Sequence, residues 1–357
     1  MTSIRTDSGA NIFYGETVFE RLNSLLKSGR FSSLFILADE NSMNYCMPEL
    51  VTRVPKLLEA EVVEIESGEV NKNIETCAQV WMALSELGAD RKSLLINLGG
   101  GVITDMGGFI ASAFKRGITF LNIPTTLLAQ VDASIGGKTG VDLGVLKNEI
   151  GFFAEPEEVF IYSGFLKTLD ERQYTSGLAE ILKHGLIADK EYWNQCYAAE
   201  LQDVAIIEEF IRDSIRIKSE IVSRDPKESG ERKKLNFGHT IGHAIESLFI
   251  ERGERTLLHG EAVAIGMICE AYISSRTVGL SEDCLNEIQE NIIWYFSFQE
   301  LNAMDDHRIL ELMRHDKKNY GGEIRMVLLE DIGVSVYDKT VTTNLILESL
   351  KYYRSLA

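Results

Sequence analysis

The sequence predicts an α/β domain built on a parallel sheet over residues 1–160, followed by a mainly α-helical domain over 161–357. Three observations carry this prediction. Short apolar runs alternate with amphipathic stretches through the first half, as in strands joined by crossover helices. From about residue 165 the apolar positions recur instead at helical spacing. The length, 357 residues, is enough for two separate cores.

SLFILAD at 33–39 reads as a buried strand ending on Asp39, with a helix following through about 57. EVVEIE at 61–66 is a second strand, and a helix with one buried face spans 74–87. SLLINL at 93–98 and ITFLNI at 118–123 are the third and fourth strands, and EEVFIY at 157–162 the last. Ligands of such sheets lie beyond the carboxyl ends of the strands. There GGGVITD at 99–105 offers glycines whose bare N–H groups suit a pyrophosphate at a helix start. The spacing is not GxGxxG, so alone it is a weak dinucleotide signal, and Asp39 stands where a carboxylate meets ribose hydroxyls. IGGKTG at 135–140 imitates a phosphate loop, but Asp132 occupies the place of its first glycine. A carboxylate aimed at phosphate excludes a nucleoside triphosphatase. Lys138, Lys147 and Asn148 read instead as groups meeting an anionic ligand, although a single lysine is more often solvated surface. Helices are then expected over 169–187, 204–223, 235–250, 261–275, 285–295 and 309–314. An extended pair at 325–329 and 334–337 precedes a closing helix at 341–353.

Apolar content of 45% and charged content of 25% are ordinary for a soluble globular protein. The net charge of −18 excludes a nucleic-acid surface, which needs clustered Lys and Arg. No apolar run is long enough to span a membrane, and the N-terminus lacks a signal-peptide core. Five scattered cysteines without a CxxC pair are expected to be reduced thiols of a cytoplasmic protein. An anionic substrate would need a local basic cluster set against the global charge.

Chemistry concentrates in LNFGHTIGHAIE at 235–246 and LLHGE at 257–261, which hold three of the six histidines within 21 residues. His239 and His243 are four apart, so on a helix they share one face, and Gly238 and Gly242 keep that face open to a ligand or a neighbouring element. Such a pair with His259 suits a catalytic zinc site with three protein ligands and one open position. Core histidines satisfied by carbonyl groups are the plain alternative. In GLAEILKHG at 177–185, Glu180 and Lys183 share a helix face, and His184 lies four residues from Glu180.

Taken together, GGGV and Asp105, the Arg116–Gly117 pair, PTTLLAQVDASIGGKTG at 124–140, LKN at 146–148, GLAEILKHG, LNFGHTIGHA, LLHGEAVAIGM at 257–267 and DKKN at 316–319 form a series specific in order and spacing. Over most of its length the chain resembles the 3-dehydroquinate synthase family of the sugar phosphate cyclases. The resemblance implies a Rossmann-like first domain in a dehydroquinate synthase-like fold. NAD is implied at Asp39, Asn41, Glu69, Lys72, Gly100, Gly101, Val102, Asp105, Thr125, Thr126 and Thr168. A metal, usually zinc with cobalt as an alternative, is implied on Glu180, His239 and His259. Spacing alone pairs His239 with His243; the family pattern makes His243 a catalytic group, with Asp132, Lys138, Lys183 and Glu228. Arg116, Lys147, Asn148, Lys218, Arg232, Asn236 and one of Lys317 and Lys318 are implied to bind a small anionic sugar phosphate. The implied reaction, in the shikimate pathway, converts 3-deoxy-D-arabino-heptulosonate 7-phosphate to 3-dehydroquinate and phosphate. NAD takes a hydride, phosphate is eliminated, the hydride returns, and an intramolecular aldol closes the ring. A homodimer is also implied.

The chain departs from the family pattern in places. Thr104 stands where the family usually has glycine, His184 occupies a variable position and is assigned to the core, and the spacer 247–256 is expected to lengthen a loop. The rival readings are a sister cyclase making 2-deoxy-scyllo-inosose or 2-epi-5-epi-valiolone, a metal-dependent alcohol dehydrogenase of the glycerol dehydrogenase type, and a metal- and NAD-binding protein without catalysis. Lys218, Arg232, Asn236 and His243 together favour the dehydroquinate enzyme.

Overall fold

The computed structural model describes residues 3–5, 10–144, 146–253, 257–302, 305–314 and 324–357. Internal contacts group the chain into two compact units, Met1–Tyr174 with Val204–Ser219, and Thr175–Asp203 with Glu220–Ala357. Relative to a cut near residue 160, segments 161–174 and 204–219 group with the first unit.

The strands of the first unit are β1 (Ser3–Arg5), β2 (Asn11–Tyr14), β3 (Leu34–Asp39), β4 (Glu61–Ile65), β5 (Leu94–Gly99), β6 (Thr119–Pro124), β7 (Lys138–Leu143), β8 (Leu146–Phe153) and β9 (Glu158–Ile161). Its first helices are α1 (Thr17–Leu26), α2 (Glu40–Tyr45), α3 (Met47–Arg53), α4 (Ile74–Glu86) and α5 (Gly101–Ala113). The seven-stranded sheet runs β1-β2-β9-β6-β5-β3-β4, with β1 antiparallel and the other six strands parallel. Alternation along the strands explains burial on both faces. Leu34, Ile36, Leu94 and Ile96 pack with Leu22 of α1, while Phe35, Leu37 and Leu95 pack with Val80 of α4 and Met106 of α5.

One local expectation of this unit changes. The single helix expected through 57 is broken into α2, α3 and a 3-10 turn, Pro55–Glu59, because prolines at the starts of the last two remove backbone donors. Lys138 opens a strand of the β7–β8 hairpin rather than a helix, after Gly137 with φ +64°. A phosphate loop requires a helix at that point.

The remaining elements are α6 (Glu171–Ala188), α7 (Lys190–Ala198), α8 (Ile207–Arg224), α9 (His239–Arg252), α10 (His259–Thr277), α11 (Glu282–Phe296), α12 (Asp306–Arg314), the hairpin β10 (Ile324–Asp331) and β11 (Val334–Val341), and α13 (Thr343–Arg354). The helix expected from 235 begins at His239, because Gly238 is left-handed at φ 78° and a 3-10 turn, Glu231–Asn236, precedes it. The spacer expected as loop is helical to Arg252 and closes on left-handed Gly253; residues 254–256 lie outside the described residues. Among the described residues no helix is long and apolar enough to cross a membrane.

Candidate functional site

In the second unit three helices meet at backbone distance. A Cβ on Gly266 of α10 would lie 1.9 Å from the Gly238 carbonyl oxygen, and one on Gly260 would lie 1.9 Å from that of Ser176 on α6. Only glycine permits such approaches. They bring His239 and His259, the first residues of α9 and α10, beside the fully buried Glu180 of α6. Glu180 Oε1 is 3.5 Å from His239 Nε2 and 3.8 Å from His259 Nε2. Ligand atoms of a tetrahedral zinc bonded near 2.1 Å stand about 3.4 Å apart. One carboxylate and two imidazoles with these two separations are a set that could hold a divalent metal, as are His239, His243 and His259, whose ligand atoms lie within 4.8 Å of one another.

The outer ring nitrogens are also engaged. His239 Nδ1 lies 3.0 Å from the Phe237 carbonyl, and His259 Nδ1 lies 3.2 Å from Glu246 Oε2. A carbonyl and a carboxylate accept, so each Nδ1 carries the proton and each Nε2 lone pair is left for a metal. Burial works against a charged His259, but Glu180 and Glu246 outweigh it and raise its pKa to about 10. A cation seated among these groups takes that proton's place. The His243 ring lies 5.1 Å from that of His239 and 5.6 Å from that of His259, half-buried and near enough to exchange protons with a ligand held there. Lys183 forms an ion pair with Glu180. Glu246 closes the LNFGHTIGHAIE stretch without a role read from the sequence, and it falls seven residues after His239, two turns along the same face.

In the first unit a second cluster forms at the carboxyl ends of the strands. Gly100 caps α5 directly after β5, so Gly101 and Val102 open the helix. The Asp39 carboxylate ends β3 and accepts from Ser42 N at 2.7 Å, capping α2, while Asn41 is exposed. Thr125 N donates to the Gly99 carbonyl at 3.0 Å, and Thr126 Oγ1 accepts from Ala129 N at 3.2 Å. Thr168 is exposed and donates to the Phe165 carbonyl at 3.1 Å. Lys72 Nζ donates to Asp105 Oδ2 and to Asn148 Oδ1, each at 2.7 Å. Lys147 Nζ donates to Glu69 Oε1 at 2.6 Å, and Asn148 N to Asp142 Oδ1 at 2.6 Å. Residues assigned to cofactor and to substrate thus share one network.

Burial raises the Asp105 carboxyl and opposes charge on Lys72, but Asp105, Glu69 and Asp142 outweigh it for the lysine, whose pKa lies above the ordinary 10.5. Lys72 is therefore charged at neutral pH. The stabilisation from Lys72 is complete below its unfolded pKa near 10.5 and is lost only as pH rises through the higher folded value. Lys72→Met leaves Asp105 buried without its cation and is expected to lower the unfolding free energy at neutral pH by about 3–5 kcal/mol in urea denaturation. A loss below about 1 kcal/mol, the range of exposed pairs, would count against the network.

Asp132 lies in a π-helical turn, Ala129–Ala133, where its carbonyl and its Oδ1 each accept from Lys218 Nζ at 2.7 Å. Asn236 Nδ2 donates to Glu228 Oε1 at 2.7 Å, and buried Arg232 donates to the Pro226 carbonyl at 2.7 Å. Their loop is gathered by Asp225, which accepts from Ser229 N at 3.0 Å, Gly230 N at 2.7 Å and Arg232 N at 3.1 Å. Arg116, Asn148 and Glu228 hold positive φ of 68°, 50° and 57°. Such strain concentrates at functional sites. Arg116 and Lys138 are exposed. Thr104 is buried in α5 and donates to the Gly101 carbonyl at 3.2 Å, and His184 is buried on α6. Lys317 and Lys318 lie outside the described residues.

The models described as 3-dehydroquinate synthase N-terminal and 3-dehydroquinate synthase C-terminal match residues 62–176 and 177–319. A 3-dehydroquinate synthase of Parabacteroides distasonis is 45% identical over 336 residues, covering 93% of this chain and 94% of that protein. Among solved structures, a 2-deoxy-scyllo-inosose synthase complexed with carbaglucose-6-phosphate, NAD+ and Co2+ matches with a TM-score of 0.86 at 26% identity, over 99% of both chains. A 2-epi-5-epi-valiolone synthase from Streptomyces hygroscopicus with NAD+ and Zn2+ bound matches at 0.85 and 26%, over 98% of both. With two consecutive family models spanning residues 62–319 and a relative of that identity along nearly the whole chain, this chain belongs to the 3-dehydroquinate synthase family of enzymes.

Proposed function

We propose that the chain converts 3-deoxy-D-arabino-heptulosonate 7-phosphate to 3-dehydroquinate and phosphate, with Glu180, His239 and His259 holding zinc or cobalt and the β5–α5 turn holding NAD. The observation that carries the metal assignment is the approach of two Nε2 atoms to one buried carboxylate oxygen, at 3.5 and 3.8 Å. When bound, NAD supplies a reversible hydride acceptor and the metal a Lewis acid. His243 moves protons at the reacting hydroxyls. Arg232 and Asn236, with Lys183, hold the anionic substrate, as do Lys147, Asn148 and Lys218. Lys147, Lys183 and Lys218 are already paired with Glu69, Glu180 and Asp132. In a chain of net charge −18, the substrate's anions therefore exchange with existing carboxylate partners rather than fill a bare cationic surface. The reading extends to the shikimate pathway, a homodimer and the cytoplasm; five cysteines in no disulfide suit a reducing compartment.

The test follows phosphate and 3-dehydroquinate together, with zinc, catalytic NAD and the heptulosonate phosphate. Equal amounts of both products with no NADH accumulating are expected. Phosphate without dehydroquinate would support a sister cyclase, and accumulating NADH a dehydrogenase.

A further inference from the structure

His239, His243 and Glu246 fall at i, i+4 and i+7 of α9, so one helix face carries all three. Glu246 is a carboxylate with only 4% of its surface exposed. Its Oε2 reaches Nδ1 of His259 on α10 at 3.2 Å, while the opposite nitrogen of that ring stands 3.8 Å from Glu180 Oε1. We propose that Glu246 is a positioning residue of the metal site. Its carboxylate accepts the Nδ1 proton of His259, fixes the ring's tautomer and direction, and makes Nε2 a stronger donor to a divalent cation. This inference deepens the proposed function and rests on the metal set Glu180, His239 and His259.

The chemistry of imidazole supports it. The neutral ring has one N–H and one lone pair, and engaging the N–H at Nδ1 leaves the lone pair on Nε2, the atom that faces Glu180. A charged acceptor raises the basicity of that lone pair more than a neutral one does. The two histidines are oriented by different means. His239 meets a neutral main-chain carbonyl two residues before it, at 3.0 Å. His259 meets a carboxylate from another helix, so its orientation depends on the α9–α10 crossing. Burying a carboxylate is costly unless it is hydrogen-bonded, which makes this contact a costly one to build by accident. The competing role is a purely structural ion pair with His259, which would leave metal affinity untouched.

The test uses the full chain stripped of metal, titrated with Zn2+ against a chromophoric chelator and with Co2+ by its visible absorption. Glu246→Gln keeps the shape and an acceptor but loses the charge, and is expected to weaken both ions by about tenfold. Glu246→Leu removes the acceptor and is expected to weaken them by about 100-fold, with shifted cobalt bands. His259→Ala sets the scale of a lost ligand and is expected to be weaker than either. Wild-type affinity and wild-type cobalt bands in a folded Glu246→Leu chain overturn the inference. Should that variant not fold, the same result in Glu246→Gln overturns it. Wild-type protein that binds neither ion, or His259→Ala protein that binds as tightly as wild type, overturns instead the metal set beneath the proposal.

Discussion

His259→Ala and Glu180→Gln are each expected to lose the bound metal and at least about 10³-fold in kcat, roughly 4 kcal/mol of transition-state stabilisation. Each removes one of three groups whose ligand atoms stand 3.5 and 3.8 Å apart around a shared carboxylate oxygen. His243→Ala separates the two roles. It leaves the three ligands and their orienting partners in place, so metal is retained while turnover falls by about 10²–10⁴-fold, the usual worth of a positioned proton carrier. Metal content after gel filtration, measured beside steady-state rates, distinguishes these outcomes. Stoichiometric metal in His259→Ala, or metal lost from His243→Ala, would exchange the parts assigned to these two histidines and restore the helical pair that spacing alone favours.

The second large effect concerns a residue with no chemistry of its own. Gly266→Ala places a methyl group 1.9 Å from the Gly238 carbonyl oxygen and 2.9 Å from Gly242 N. Both neighbours are backbone, so no rotamer change relieves the clash and α9 and α10 must separate. A loss of about 3 kcal/mol or more in unfolding free energy is expected, at the upper end of overpacking. Metal binding should go with it, because the crossing sets the spacing of His239 and His259. Gly253→Ala provides the contrast. That glycine has φ +61° but nothing within 4 Å of the added carbon, so only the backbone penalty of about 1–2 kcal/mol applies and metal is kept. Denaturant midpoints and metal stoichiometry of the two variants decide the matter. Metal retained in full by Gly266→Ala would mean that the crossing does not control the site.

Much of this arrangement follows from local pattern. Apolar runs mark β3, β5, β6 and β9 to within one or two residues, because side chains of a buried parallel strand answer to both faces of the sheet, and the edge strand β4 is marked as closely. The β5–α5 turn is legible because glycines in that position suit a tight turn into a helix. The pairing of His239 and His243 on one face is legible from spacing four. The β7–β8 hairpin is not, because a glycine-rich stretch with a phosphate-loop look gives little periodic signal. Nor is the early end of the helix after β3, where prolines override an otherwise continuous pattern.

The sequence by itself determined the two kinds of structure, the stretches in which the histidines concentrate and, through motif order, the family. Tertiary structure decided which groups meet. Glu180, His239 and His259 come from three helices, and their separation depends on how closely α6, α9 and α10 approach, a distance no helical period encodes. Lys72 finds Asp105 and Asn148 across 33 and 76 positions of chain, and Glu246 finds His259 across 13. Local periodicity reports only which face of its own element a residue occupies. Contacts between elements arise from packing whole faces together, and here glycine at the crossing sets the distances between the proposed metal ligands.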